Sequence, residues 1–201
     1  MTVLTLEALR ALYSPAHLRS VKKELTQLDA PCLRFIALSP FVVIASAGID
    51  GAQDASPRGG APGFVKVQGS STLLIPDSPG NDRLDTLQNI IQTGQIGLLF
   101  LVPGVDENLR VNGGATLSTD GADLEQCTEP QRKPSLVIKV SVEAAYLHCA
   151  KAVMRSALWD PARHVPRASL PTMGQMLKDQ TGSDFPAETQ AEMLARYTPD
   201  L

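Results

Sequence analysis

The chain lacks an excess of charge, a long apolar run and paired cysteines, and each lack removes a class of function. With 18 Lys and Arg against 21 Asp and Glu, the formal charge is −3. No basic field therefore points to nucleic acid or an anionic membrane as the main partner. No apolar stretch approaches the ~20 residues a membrane span needs. The amino terminus, with Glu7 and Arg10 inside a mild apolar pattern, has no signal-peptide layout, so a cytoplasmic chain is expected. Cys32, Cys127 and Cys149 form no CxxC pair and are odd in number, as expected of reduced thiols in a cytosolic chain. The only histidines are His17, His148 and His164; none lies at ligand spacing with another His or Cys, so no metal site is expected. His148 and Cys149 are adjacent, so on a helix their side chains diverge and make a poor nucleophile–base pair. The strand–helix GxGxxG, GxxxxGK[ST], GxSxG and HExxH motifs are all missing.

What is present is ordinary globular composition, 43% hydrophobic and 19% charged over 201 residues, which suits one domain with an appended element. The first thirty residues read as helix, with Ser14-Pro15 as a start signal and Leu18, Val21, Leu25 and Leu28 at helical spacing. Residues 33–38 and 41–46 are apolar, β-branched and aromatic runs that read as strands, the second entering a turn at Gly48–Gly51. Residues 53–63 read as a Gly/Pro-rich loop, followed by short strands at 64–68 and 72–75. The loop at 76–80 feeds a helix expected from Asn81, with Leu84, Leu87, Ile90 and Ile91 on one face and Gly94 as its stop. Strands follow at 97–102, 108–117 and 136–147, with 119–135 as an exposed hairpin loop. Residues 148–159 read as helix, and two further short helices are expected near 172–180 and 186–197. Strands at this spacing with one inserted helix suggest a small β-barrel.

Three features can carry chemistry. First, the Gly/Pro-rich loop before Asn81, Asp82 and Arg83 suits an anion, because unpaired N–H groups at a helix start favour phosphate and an Arg adds a two-pronged donor. Second, Arg58, Lys66 and Arg110 are isolated cations on otherwise uncharged segments; Lys66 between Val65 and Val67, and Arg110 between Leu109 and Val111, alternate away from their apolar neighbours. A solvated surface cation is the competing reading for each. Third, Lys151, Arg155 and Trp159 fall at i, i+4 and i+8, hence on one helical stripe. Like charges at that spacing repel by a few tenths of a kcal/mol, which an anion would relieve, and an indole in line can pack on an aromatic ligand. A solvated basic face with Trp159 as a packing anchor is the alternative.

The segments Ser56-Pro57-Arg58-Gly59, Pro62-Gly63-Phe64-Val65, Ile75-Pro76-Asp77, Gly80-Asn81-Asp82-Arg83-Leu84-Asp85, Leu99-Phe100-Leu101-Val102-Pro103-Gly104, Leu109-Arg110-Val111-Asn112-Gly113, His148-Cys149-Ala150-Lys151-Ala152 and Arg155-Ser156-Ala157-Leu158-Trp159 together resemble the pyridoxamine 5′-phosphate oxidase-like FMN-binding split barrels. Within that superfamily they look like a bacterial subgroup without an assigned reaction. The resemblance implies an α+β fold: a mainly β, six-stranded-type split barrel with helices at both termini. Its expected parts are a helical segment 1–30, a flavin-binding barrel 31–150 and a helical extension 151–201. It further implies a homodimer whose FMN sites draw on both subunits. Carried over position by position, it points to Arg58, Lys66 and Arg83 for the phosphate, with Asn81 in the same loop, and it adds Val65 and Leu84 as further cofactor-binding positions. It places Arg110 near the ring or phosphate, and Lys151, Arg155, Ser156 and Trp159 where a partner subunit completes the site. The chain departs from the family in two places: Gly59-Gly60 stand where relatives usually carry an acidic residue, and the substrate-holding C-terminal Arg motif of the vitamin B6 oxidases has no close match. The function implied is an FMN-dependent oxidoreductase acting on an unidentified small molecule. The alternative is a non-catalytic flavin- or haem-binding protein, or an interaction module, on the same fold.

Overall fold

The structure, a computed structural model, describes residues 2, 5–78, 80–130 and 132–200. The chain divides into two compact units, Met1–Ser156 and Ala157–Leu201. Among the described residues the first is built on seven antiparallel strands: β1 (Phe41–Ala47), β2 (Gln53–Gly59), β3 (Lys66–Gln68), β4 (Thr72–Pro76), β5 (Gln95–Leu101), β6 (Asn108–Ser118) and β7 (Val137–His148). Their order is β2-β1-β5-β6-β7-β4-β3, an open sheet rather than a closed barrel. Among the described residues six helices accompany it: α1 (Leu6–Arg10), α2 (Leu18–Lys22), α3 (Ala30–Leu38), α4 (Asp85–Thr93), α5 (Gly121–Gln126) and α6 (Lys151–Ser156). The expected α+β split-barrel class is what the chain adopts.

Alternation decides the faces. Val42 and Ile44 of β1, Leu98 and Phe100 of β5, and Leu109 and Val111 of β6 are fully or almost fully buried. They form one core with Cys32 and Ile36 of α3 and Leu87 and Ile90 of α4, so these two helices cover the inner face of the sheet. The opposite face carries the cross-strand row Pro57, Val43, Leu99, Arg110 and Tyr146. A bulge interrupts the β6–β7 pairing between Asn112 and Gly113. Glycine is required there, because a Cβ on Gly113 would collide with the Ser141 carbonyl oxygen.

Four segments differ from the sequence reading. Residues 33–38, expected as a strand, belong to α3; Asp29 caps that helix by accepting from the Cys32 N–H at 2.9 Å, and Pro31 sits in its first turn, a start signal that outweighs the apolar run. Residues 53–59, expected as loop, form β2. This strand pairs only with β1 at the sheet edge, where Pro57 removes no ladder bond that the sheet needs. The helix expected from Asn81 begins four residues later, at Asp85. The expected exposed loop 119–135 contains α5, capped by Asp120, whose Leu124 and neighbouring Cys127 pack on Leu74 and Val137 as a second small core.

The amino-terminal segment also departs from a continuous helix. Ser14-Pro15 starts none; α1 and α2 are single turns, and the chain then pairs Leu25 with Ala145 of β7, N–H to carbonyl in both directions at 2.9 and 2.8 Å. Leu25 thereby takes the edge of β7 beyond the end of β4. The second unit holds α7 (Met173–Thr181) and α8 (Gln190–Tyr197), close to the two short helices expected there. Thr189 and Glu192 form a reciprocal cap at the start of α8.

Candidate functional site

On β2 the side chains of Asp54, Ser56 and Arg58 alternate with exposed neighbours and share one face. They look into a pocket of about 910 Å³, whose other walls are the loop leading into α4 and residues 132–136 ahead of β7. Asp54 accepts a hydrogen bond from the buried Thr86 hydroxyl, which ties α4 to β2 and fixes the two walls against each other. The Arg58 guanidinium folds along its own strand, donating to the Ser56 hydroxyl and to the Pro57 carbonyl at 3.0 Å. Its other amino group lies 3.9 Å from the Asp77 carboxylate. Burial pushes the Asp77 carboxyl above its ordinary value, against the opposing pull of Arg58.

The loop wall is held in an uncommon shape. Asp82 and Leu84 both adopt left-handed backbone conformations, with φ of 56° and 59°, which side-chain-bearing residues rarely take. Between them Arg83 stands largely in solvent, its side chain 74% exposed, and pairs with Asp85 at 2.9 Å. Asn81 Oδ1 accepts the Arg83 N–H at 3.2 Å. These residues precede α4 rather than open it, so the helix-start reading of this loop does not hold: the first turn of α4 is occupied by Asp85 itself.

Of the residues singled out in the sequence, Arg58, Asn81, Arg83 and Leu84 line this one pocket. The others lie elsewhere. Val65 is in the core at 3% exposure. Lys66 donates to the Gly63 carbonyl at 3.1 Å and sits 3.7 Å from Glu129. Arg110 donates to the Tyr146 hydroxyl at 2.9 Å on the outer face of the sheet. Lys151, Arg155 and Ser156 are exposed on α6, with Arg155 Nε donating to the Lys151 carbonyl at 3.0 Å. The stripe of three does not form: Ala157 turns left-handed at φ 48°, α6 ends at Ser156, and Trp159 falls in the second unit.

Sequence reasoning missed two cations. Arg132 and Lys133 line the same pocket from the segment ahead of β7. Arg132 closes a tight turn with Glu129, whose N–H donates to the Arg132 carbonyl at 2.8 Å. The available signal was a Lys-Pro pair after an Arg, placed just before a strand. The pocket thus brings four cations from three segments around a space of small-molecule size, together with the carboxylates of Asp54, Asp77, Asp82 and Asp85; Asp77 pairs with Arg58 and Asp85 with Arg83. Such an arrangement can exchange carboxylate partners for the oxygens of a phosphate.

Compared with solved structures, the chain is similar to a variant of HupZ from Group A Streptococcus (18% identity, TM-score 0.50, covering 60% of this chain and 99% of that one). It is also similar to an FAD-binding protein from Mycobacterium smegmatis (18%, 0.44, 61% and 98%) and to an FMN-binding protein from Syntrophomonas wolfei subsp. wolfei (12%, 0.42, 58% and 81%). No curated protein matches the chain. The family model for pyridoxamine 5′-phosphate oxidase matches residues 28–149, the stretch that builds the sheet and the pocket, and the chain belongs to that family.

Proposed function

We propose that the chain is an FMN-binding flavoprotein, an oxidoreductase for an unidentified small molecule, working as a homodimer with its cofactor sites at the subunit interface. The observation that carries this reading is the convergence of Arg58, Asn81 and Arg83 on one pocket of about 910 Å³, joined there by Arg132 and Lys133. Four cations on three segments fit a phosphate, and membership of the pyridoxamine 5′-phosphate oxidase family supplies the flavin that would bear it. When bound, the flavin supplies the hydride chemistry. The chain's own residues grip its phosphate, while Asp77 holds Arg58 in place until the phosphate arrives.

The outer sheet face supports the dimer. Phe41 is 39% exposed, and Val43, Leu99 and Leu101 stand only partly covered in the same region of β1 and β5, an apolar surface suited to a second copy. Arg110 and Tyr146 border it, where a planar ring could be received between subunits. Lys151 and Arg155 would complete the partner's site from α6.

A haem-binding role on this pocket has less support: among its described lining residues there is no His, Cys, Met or Tyr to ligate iron. The test is titration of FMN and, separately, riboflavin into stripped protein. Tight FMN binding that weakens strongly when the phosphate is absent supports the reading. Equal binding of both would remove the phosphate role of the pocket, and a Soret band on purification would favour the haem alternative.

A further inference from the structure

The two ends of the chain carry apolar side chains that this fold leaves uncovered. Every residue from 5 to 24 is exposed, including Leu6 at 81%, Leu12 at 65%, Tyr13 at 69%, Leu18 at 67% and Val21 at 60%. In the second unit no described residue is buried; Leu177, Phe185 and Leu194 are 50%, 81% and 52% exposed. Short helices of this kind gain their stability from packing rather than from propensity, so both ends require a covering surface.

Their charges are opposite. Across residues 5–24 the arm carries Arg10, Arg19, Lys22 and Lys23 against Glu7 and Glu24. Across α7, α8 and their connection, Asp179, Asp184, Glu188 and Glu192 outnumber Lys178 and Arg196, and Arg196 is already paired with Glu188 at 2.8 Å. The root of the arm is fixed at the margin of the outer sheet face: Lys23 Nζ donates to the Leu147 carbonyl at 2.6 Å and lies 5.5 Å from the Tyr146 ring centre. The arm is thus anchored beside Tyr146, which borders the surface assigned above to the second copy.

We propose that the basic amino-terminal arm, residues 5–24, docks on the acidic α7–α8 unit of a second copy of this chain, so that each subunit of the dimer clasps the other. Apolar side chains from both segments would pack together, with Arg19 and Lys22 facing Asp179 and Asp184 and setting which surfaces meet. This inference rests on the homodimer proposed above and adds to it the surface that stabilises the pair.

Sedimentation measurement of the dimer dissociation constant tests it on the full chain, using exposed positions whose change leaves the fold intact. Arg19→Glu with Lys22→Glu should raise the constant at least tenfold, and so should Asp179→Lys with Asp184→Lys. All four together should return it to within about threefold of the parent. The effect should fade in 1 M salt, where charges are screened within about 3 Å. A dimer indifferent to both reversals, or one weakened further by the fourfold change, overturns the clasp and leaves the dimer standing. A parent chain that is monomeric at all concentrations overturns both.

Discussion

Arg58 and Arg83 approach the pocket with different constraints, and their substitutions separate accordingly. Arg58 is part-buried and held by Ser56 and Asp77, whereas Arg83 is mostly exposed with one carboxylate neighbour. A charge-assisted contact to phosphate contributes roughly 1.5–3 kcal/mol, so Arg83→Ala should weaken FMN more than about tenfold while riboflavin binding stays unchanged. Equilibrium titration of both ligands reads this directly. Asp77 adds a pH dependence. Its carboxyl is raised by burial, and Arg58 is the neighbour that opposes the rise. A phosphate that engages Arg58 removes that opposition and adds an anion, so binding is disfavoured while Asp77 is ionised. Asp77→Asn should therefore bind FMN several-fold more tightly than the parent at pH 8, with the advantage shrinking as the pH falls toward the Asp77 pKa. Taking the ratio of the two proteins cancels the titration of the phosphate itself. A ratio that is flat with pH would sink the competition between Asp77 and ligand.

Among the elements, what the sequence made legible followed periodicity. β1 and β5 to β7 stand within a few residues of their apolar runs, and Gly94 ends α4 with φ 64° as its glycine suggested. The misread segments share a cause, local composition that tertiary context overrode. Leu33–Leu38 looks like a strand, but its apolar side chains are sorted by a helix whose Asp29 cap and Pro31 lie just upstream. Ser56-Pro57-Arg58 looks like a turn, yet an edge strand accepts it, and that strand is what presents Arg58 to the pocket. Arg132 and Lys133 escaped notice because a polar loop gives no period to read; only the fold brings them to the pocket that Arg58 of β2 lines.

α5 illustrates how an unpromising loop becomes an element. Asp123, buried at 4% exposure, accepts from Ser118 at 2.7 Å, Lys139 at 3.0 Å and Gln68 at 3.1 Å. The Ser118 hydroxyl first, then Lys139, holds its carboxyl below the ordinary value of 3.8. A depressed carboxyl stabilises the fold above its unfolded pKa and loses that contribution as the pH falls through the folded one. The contribution of Asp123 should thus be intact at neutral pH and fade only as the pH drops below the ordinary carboxyl value of 3.8. Thermal melts of Asp123→Asn and parent should differ most at neutral pH and converge in acid; a constant difference would contradict the ionic role. Gly113→Ala tests the bulge. With a Cβ driven against the Ser141 carbonyl, the β6–β7 pairing must shift, at a cost of at least about 1–3 kcal/mol, seen as a lowered melting temperature. An unchanged melt would mean the bulge adapts.

For the whole molecule, the open sheet defines two surfaces with different work. Its inner face is filled by α3 and α4, and its outer face remains apolar at Phe41, Leu99 and Leu101. Phe41→Asp places a charge on that outer face without touching the pocket, and should give a monomer that has lost FMN; a dimer that keeps FMN would move the interface elsewhere. No helix among the described residues is long and apolar enough to cross a membrane.

The flavin reading requires that this pocket hold FMN by its phosphate. The most direct test is the visible absorption spectrum of the purified protein, followed by titration of FMN into stripped protein at known subunit concentration. The expected result is flavin absorption, supplied by the cofactor ring, with one FMN bound per subunit and affinity lowered more than about tenfold on Arg83→Ala. A colourless protein that ignores added FMN would contradict the account and leave an unliganded split barrel whose role is to bind other chains.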